Sequence, residues 1–260
     1  MREVLEKIIK GQISIDEAEK LLRIWAIEEI GSLARIDVSR EFRKGVPEVI
    51  LAEGKRSEDV AEIALRMLNE KGRAIISRAT KEQRDVIKKV TPNDVFLHVD
   101  NKVGLMVIKK KGFEVKRTGG KVGILTAGTS DIPVAEEVRV IAEEMGCEVI
   151  TAYDVGVAGI HRLFPPLKEM IEKDVDVIVV VAGREGALPS VVAGMVNVPI
   201  IAVPTSIGYG FGEKGISALM AMLQACSLGL AVVNVDGGVA AGAVAALIAN
   251  RVAKFKGHDE

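Results

Sequence analysis

The chain has 260 residues, room for one large or two modest domains at ~150 residues each, and a chain of that size buries ~70–75% of its unfolded surface without a metal or disulfide staple. Charge is nearly balanced, 35 Lys and Arg against 36 Asp and Glu, so a nucleic-acid backbone has no field to be drawn to and a dedicated nucleic-acid binder is excluded. Aromatic residues number 6 Phe, 2 Tyr and 1 Trp beside 26 Gly, which leaves an aliphatic core and no base-stacking platform.

The N-terminal stretch, MREVLEKIIKGQIS, is charged throughout, lacks the apolar centre of a signal peptide, and predicts a short amphipathic helix stopping at Gly11. Ser14-Ile15-Asp16-Glu17 reads as a capping box opening a second helix. Ser57 with Glu58 and Asp59 opens another by the N-cap and dipole rules, and Thr80-Lys81-Glu82-Gln83 repeats the capping box before a further one. Between them lie the β-like runs Glu48 to Ala52, Ala74 to Ser77 and Val95 to Val99. Residues 1–108 therefore form a small α/β domain without convergent catalytic groups, expected to supply substrate contacts or assembly surface. Residues 109–120, basic and glycine-containing, are the expected linker, with a phosphate contact from Lys116 or Arg117 as the alternative reading.

From residue 121 to 260 the pattern is regular, with a Val/Ile-rich run, a Gly or polar turn and ten to fifteen helical residues, repeated. The runs are Val122 to Thr126, Glu148 to Tyr153, Val175 to Ala182, Pro199 to Val203 and Leu230 to Val235. Five such units predict an α/β fold with a flavodoxin-like, doubly wound parallel sheet. A chain starting near Gly119 is expected to keep its ligand binding. The stretch Gly229 to Ala249 is long enough to span a bilayer but is broken by Asn234 and Asp236-Gly237-Gly238, so no membrane association is expected. The last helix, roughly Val239 to Val252, is small and apolar on nearly all sides. It needs burial against its own sheet and a second surface, which points to contact with another subunit in a homo-oligomer.

In an open parallel sheet, ligands bind beyond the carboxyl ends of the strands. Those positions hold Gly128-Thr129-Ser130-Asp131, whose turn and helix N-terminus suit a phosphate; Asp154, followed by His161 and Arg162; Arg184-Glu185 with Ser190; and Pro204 to Gly212, which has the glycines of a lid. Glu185 is the strongest candidate for acid/base work and His161 a weaker one. The two cysteines, Cys147 and Cys226, are too few for a disulfide framework and fit a reducing cytoplasm. Cys147 reads as a buried hydrophobe and so, taken on its residues alone, does Cys226, which sits at a helix-to-strand turn where only the fold could bring a cation beside it.

The C-terminal 140 or so residues resemble the aminoimidazole ribonucleotide (AIR) carboxylase fold. Gly128-Thr129-Ser130-Asp131-Ile132-Pro133 looks like that family's phosphate-binding segment and Leu188-Pro189 like its active-site stretch, but Ala187 stands where AIR carboxylases carry a histidine. The whole chain is more closely similar to the LarB family of pyridinium-3,5-biscarboxylic acid mononucleotide synthases. The resemblance rests on Pro47 to Ile50, Glu53-Gly54-Lys55, Gly128 to Asp131, Asp154 to Arg162, Glu185 to Ser190, Cys226 and Asp236-Gly237-Gly238.

That resemblance implies a cytoplasmic carboxylase/hydrolase that starts nickel-pincer nucleotide synthesis. It would add CO2 to the pyridinium ring of nicotinic acid adenine dinucleotide and release AMP. By the same resemblance Cys226 is the nucleophile, with Glu185 and His161 in proton transfer. Gly128, Thr129, Ser130, Asp131, Asp154, Arg162, Arg184 and Ser190 would bind substrate, Asp131 would also hold Mg2+, no organic cofactor is needed, and the assembly would be an octamer. The alternatives are an AIR carboxylase-type purine enzyme and a non-catalytic nucleotide-binding module.

Overall fold

Two sheets organise the computed structural model, which describes residues 2–28, 41, 44–100, 103–208 and 210–256. The N-terminal part opens with α1 (Arg2–Ile9) and α2 (Ile15–Glu28). The Ser14 box forms as expected: the Glu17 amide donates to Ser14 Oγ at 3.2 Å and the Ser14 amide to Glu17 Oε2 at 2.9 Å. There follow β1 (Val49–Leu51), α3 (Ser57–Lys71), β2 (Arg73–Ser77), α4 (Lys81–Val90), β3 (Val95–Asp100) and β4 (Leu105–Lys110).

The Thr80–Gln83 box caps α4, and the Gln83 side chain also donates to the carbonyls of Ala52 and Lys55, fixing the turn after β1. Ser57 differs from expectation. Arg56 occupies the N-cap and Ser57 is the first helical residue, itself buried and making no cap. The sheet order is β1-β2-β4-β3, with β1 parallel to β2 and the other pairs antiparallel. Strand β4 was absent from the sequence reading. It extends to Lys110, two residues into the stretch read as linker, because its charged end pairs with Arg73 and Val95 on the flanking strands.

The second sheet is built from β5 (Lys121–Thr126), β6 (Glu148–Ala152), β7 (Val177–Ala182), β8 (Ile200–Pro204) and β9 (Leu230–Val232), all parallel, in the order β6-β5-β7-β8-β9. This is the 2-1-3-4-5 order of flavodoxin-like folds, with its topological switch point between β5 and β7. Central β7, VIVVVA, is buried on both faces, as a strand covered by helices on both sides must be. The connections carry α5 (Ile132–Glu144), α6 (Phe164–Glu172), α7 (Leu188–Ala193), α8 (Ile216–Leu223) and α9 (Gly238–Lys256). Helices α6, α7 and α8 cover one face through Leu167, Met170, Leu188, Val192, Ala218 and Met222.

Helices α5 and α9 cover the other face. The small residues of α9 allow close approach: a Cβ at Gly242 would lie 2.8 Å from the Val138 carbonyl oxygen of α5. The same core cluster takes in Ile75, Leu105 and Val107 of the N-terminal sheet. The layers therefore run α3/α4, first sheet, α5/α9, second sheet, α6/α7/α8. Helix α9 has the length and composition of a membrane span, yet Ala241, Ala245, Ala246 and Ala249 are buried in this shared core. The second surface that α9 needed is thus supplied in part by its own chain.

Polar contacts pin the two sheets together. Arg73 on β2, 4% exposed, donates from Nη1 to the Glu144 carbonyl at 2.6 Å and to Glu144 Oε2 at 3.0 Å, and from Nη2 to Glu41 at 2.5 Å. Lys109 reaches the other Glu144 oxygen at 2.5 Å. Arg117, a candidate phosphate contact, instead donates to the Cys147 carbonyl at 3.0 Å. Cys147 is buried as expected, and burial, with Asp176 nearby, pushes its thiol up to about 11.

Candidate functional site

A cleft of about 540 Å3 opens at the switch point, walled by the segments that follow β5, β6, β7 and β8. Its walls include Gly128, Ser130, Asp131, Gly156 to Ala158, Gly183 to Glu185, Ala187, Leu188, Ile207 and Gly208. Two glycines permit the strand ends to approach this closely. A Cβ at Gly156 would sit 2.5 Å from the Ala127 carbonyl oxygen, and one at Gly183 would sit 2.6 Å from both the Ile207 carbonyl and Thr205 Oγ1.

Asp131 holds these segments in register. It is 4% exposed; its Oδ2 accepts the Gly128 amide at 2.8 Å and its Oδ1 the Thr205 hydroxyl at 2.7 Å, and the Gly183 amide also donates to the carboxylate. One side chain thus ties the turns after β5, β7 and β8. Burial raises its pKa, with the nearby charge of Asp236 adding to the shift, although these donors oppose it. Thr205, buried at the end of β8, is the partner that sequence reasoning missed, having placed it only within a flexible lid. No local pattern signals it, because its pairing with Asp131 spans 74 residues.

The sequence-predicted residues divide in two. The cleft brings together Gly128, Ser130, Asp131, Arg184 and Glu185. Ser130 is exposed on the 3-10 turn that leads into α5, where Pro133 occupies the first turn and the helix dipole favours an anion. Glu185 is exposed at the rim. The other predicted residues fall outside these walls. Thr129 faces solvent on the same 3-10 turn. Asp154 and Arg162 form an ion pair at 2.5 Å beside the exposed His161, so that cation is already matched by a carboxylate. Ser190 lies in α7, where its carbonyl accepts the Ser227 hydroxyl at 2.7 Å.

Cys226 is exposed in the turn between α8 and β9. This exposure corrects the buried hydrophobe expected from the sequence; Cys226 lies outside the cleft lining, and Ser227 beside it donates to the Ser190 carbonyl of α7, the helix whose first residue, Leu188, lines the cleft. The helix before Cys226 ends at Leu223. As for a metal, Asp131 has both oxygens committed to protein donors. Among the described residues no three His, Cys, Asp or Glu side chains converge.

Backbone strain gathers at the same strand ends. Asp154 (φ 59°), Arg184 (φ 53°) and Asp236 (φ 55°) adopt left-handed conformations immediately after β6, after β7 and beyond β9. Each costs on the order of 1–3 kcal/mol for a non-glycine residue and persists where surrounding contacts over-determine it.

The protein comparisons fit this geometry. Residues 121–258 match the AIR carboxylase family and residues 27–110 the LarB/PurE-like N-terminal domain. The chain belongs to the AIR carboxylase family, in the LarB-like two-domain arrangement. A Methanocaldococcus jannaschii protein described as uncharacterized is 49% identical over 251 residues, 96% of either chain. The N5-carboxyaminoimidazole ribonucleotide mutases of Thermotoga maritima and M. jannaschii are 30% and 36% identical over 108 and 103 residues. Those alignments cover 40% and 39% of this chain, and 59% and 60% of the mutases. This member is accordingly an enzyme of the carboxylase/mutase type, and its AIR carboxylase-type domain carries the cleft.

Proposed function

We propose that this enzyme carboxylates the pyridinium ring of nicotinic acid adenine dinucleotide and hydrolyses its phosphoanhydride, giving pyridinium-3,5-biscarboxylic acid mononucleotide and AMP. The observation that carries this reading is the cleft itself. At the wall position where the carboxylases of purine synthesis present a histidine, it presents the methyl group of Ala187, followed by Leu188. An acid/base group is absent there, Glu185 stands two residues earlier, and a LarB/PurE-like domain precedes the whole.

A pyridinium ring is too electron-poor to attack CO2. A thiolate adding to the ring carbon para to nitrogen moves a ring electron pair onto nitrogen and leaves a dihydropyridine whose enamine carbon is nucleophilic. That carbon bonds to CO2, its proton passes to Glu185, and departure of the thiolate with the carbon–sulfur pair restores aromaticity. Water then adds to the AMP phosphorus as its bond to the bridging oxygen breaks, so the mononucleotide leaves with that oxygen on its own phosphate and AMP is released. Ser130 and the amides of the Gly128–Ser130 turn suit the diphosphate, Arg184 at the rim adds charge, and magnesium enters only as a companion of the phosphates. The Asp154–Arg162 pair and His161 flank this arrangement, and the setting is cytoplasmic.

Cys226 supplies the thiolate in this reading. It is not among the residues that line its own cleft, and in this reading it serves the cleft of a neighbouring copy. The surface around it suits burial: Met195, Met220 and Leu223 are exposed, and Leu228 is 91% exposed two residues away. A homo-oligomer larger than a dimer is expected by light scattering at micromolar concentration, and a monomer mass would exclude this arrangement.

A second reading, a mutase or carboxylase of purine synthesis, is favoured by the names of the partial relatives. The two readings part on one assay, mass analysis of products formed from nicotinic acid adenine dinucleotide, bicarbonate and magnesium. A dicarboxylated mononucleotide together with AMP is expected. An untouched dinucleotide, with conversion of carboxyaminoimidazole ribonucleotide instead, would overturn the proposal.

A further inference from the structure

A cation at the end of the N-terminal sheet reaches the wall of the cleft. Arg78 follows β2 with a left-handed backbone (φ 56°). Its Nη2 donates to the Asp236 carbonyl oxygen at 2.5 Å, and its head is steered by Glu137 Oε1 at 3.5 Å and Glu53 Oε2 at 3.4 Å. Glu137 is itself buried on α5, where Ser77 donates to the same Oε1 at 2.5 Å.

Asp236 is the residue that anchors the wall segment after β8. Its Oδ1 accepts the Ser206 amide at 2.8 Å, and its own amide donates to the Pro204 carbonyl at 2.8 Å. The two residues after Ser206, Ile207 and Gly208, line the cleft.

We propose that Arg78 is a positioning residue for the active site: by holding the Asp236 turn in its left-handed conformation, it fixes the Ser206–Gly208 wall against which substrate binds. The N-terminal domain thereby acts on the chemistry without supplying a group to it. The arrangement gives Arg78 a role that lysine fills poorly, because three acceptors approach the guanidinium from different sides, matching a planar fork and not a point charge. The proposal rests on the cleft being the substrate site, and its test is chosen to be separable from the identity of the substrate.

The primary measurement is amide hydrogen exchange in the full-length protein. In Arg78→Ala, the Ser206 and Asp236 amides are expected to exchange about tenfold faster or more, a factor equivalent to ~1.4 kcal/mol. Protection across β2, β5 and β7 should be unchanged. Guanidinium ion at millimolar concentration, far below its denaturing range, restores protection in Arg78→Ala, whereas methylammonium does not. Arg66→Ala, which removes an exposed ion pair with Glu70 on α3, behaves as wild type.

With nicotinic acid adenine dinucleotide as the probe, Arg78→Ala should raise KM more than it lowers kcat, and guanidinium should reverse the change. Unaltered exchange at Ser206 and Asp236, or faster exchange spread evenly over the whole chain, overturns the positioning role. A wild-type enzyme that fails to turn over this dinucleotide overturns only the reaction assigned above, since the exchange result does not depend on it.

Discussion

Cys226→Ser is expected to retain fold and dinucleotide affinity while carboxylation falls below detection, because an alcohol near neutral pH is far less ionised and less nucleophilic than a thiol. Glu185→Gln should lower the rate by ~10²–10⁴-fold, the usual effect of losing a positioned proton-transfer group. Since Cys226 lies outside the lining of its own cleft and serves a neighbour's in this reading, the two variants should complement. Co-refolded oligomers pair an intact Cys226 from one chain with an intact Glu185 from another, and recover activity that neither variant has alone. Wild-type enzyme should also form a dinucleotide adduct by mass, or a dihydropyridine absorbance, that Cys226→Ser lacks. Cys147→Ser is the control, altering stability by ~1–3 kcal/mol through burial of a hydroxyl and leaving turnover intact. Unimpaired carboxylation by Cys226→Ser would sink the covalent mechanism and leave the fold and the cleft standing.

Arg73→Met is expected to have the largest effect on stability. The side chain is 4% exposed and faces Glu144, which Lys109 also engages. Methionine keeps much of the packing volume but leaves Glu144 with a single cation and an unmatched carbonyl. Breaking a buried ion pair from one side costs about 3–5 kcal/mol, so urea denaturation should show a lower midpoint with little change in slope. Loss of less than ~1 kcal/mol, the value for an exposed pair, would mean that the junction between the sheets is wetter than the geometry indicates.

Much of the architecture was legible because it depends on local periodicity. The five Val/Ile runs after residue 121 became β5 to β9, and both capping boxes formed, since each uses residues three apart in sequence. Strand β4 escaped because its apolar run Leu105–Ile108 leads directly into Lys109, Lys110 and Lys111, and the charge drew a domain boundary across a strand. The cleft was legible where residues follow strands, as at Gly128, Ser130, Arg184 and Glu185. It was not legible where long-range contacts decide: Thr205 meets Asp131 across 74 residues, and Arg78 meets Asp236 across 158. The position of Cys226 depends on where the fold sets its turn, which motif spacing does not encode.

The layer of α5 and α9 between the two sheets bears on how the molecule comes apart. Ile75, Leu105 and Val107 share a dry core with Val138, Ile141 and Ala245, so removing the first 118 residues would strip one face of that layer to water. A chain starting near Gly119, expected to keep its ligand binding, would have to do so with that face exposed. The two halves melt together or not at all, and a destabilising change on either sheet is felt at the cleft as a loss of folded enzyme.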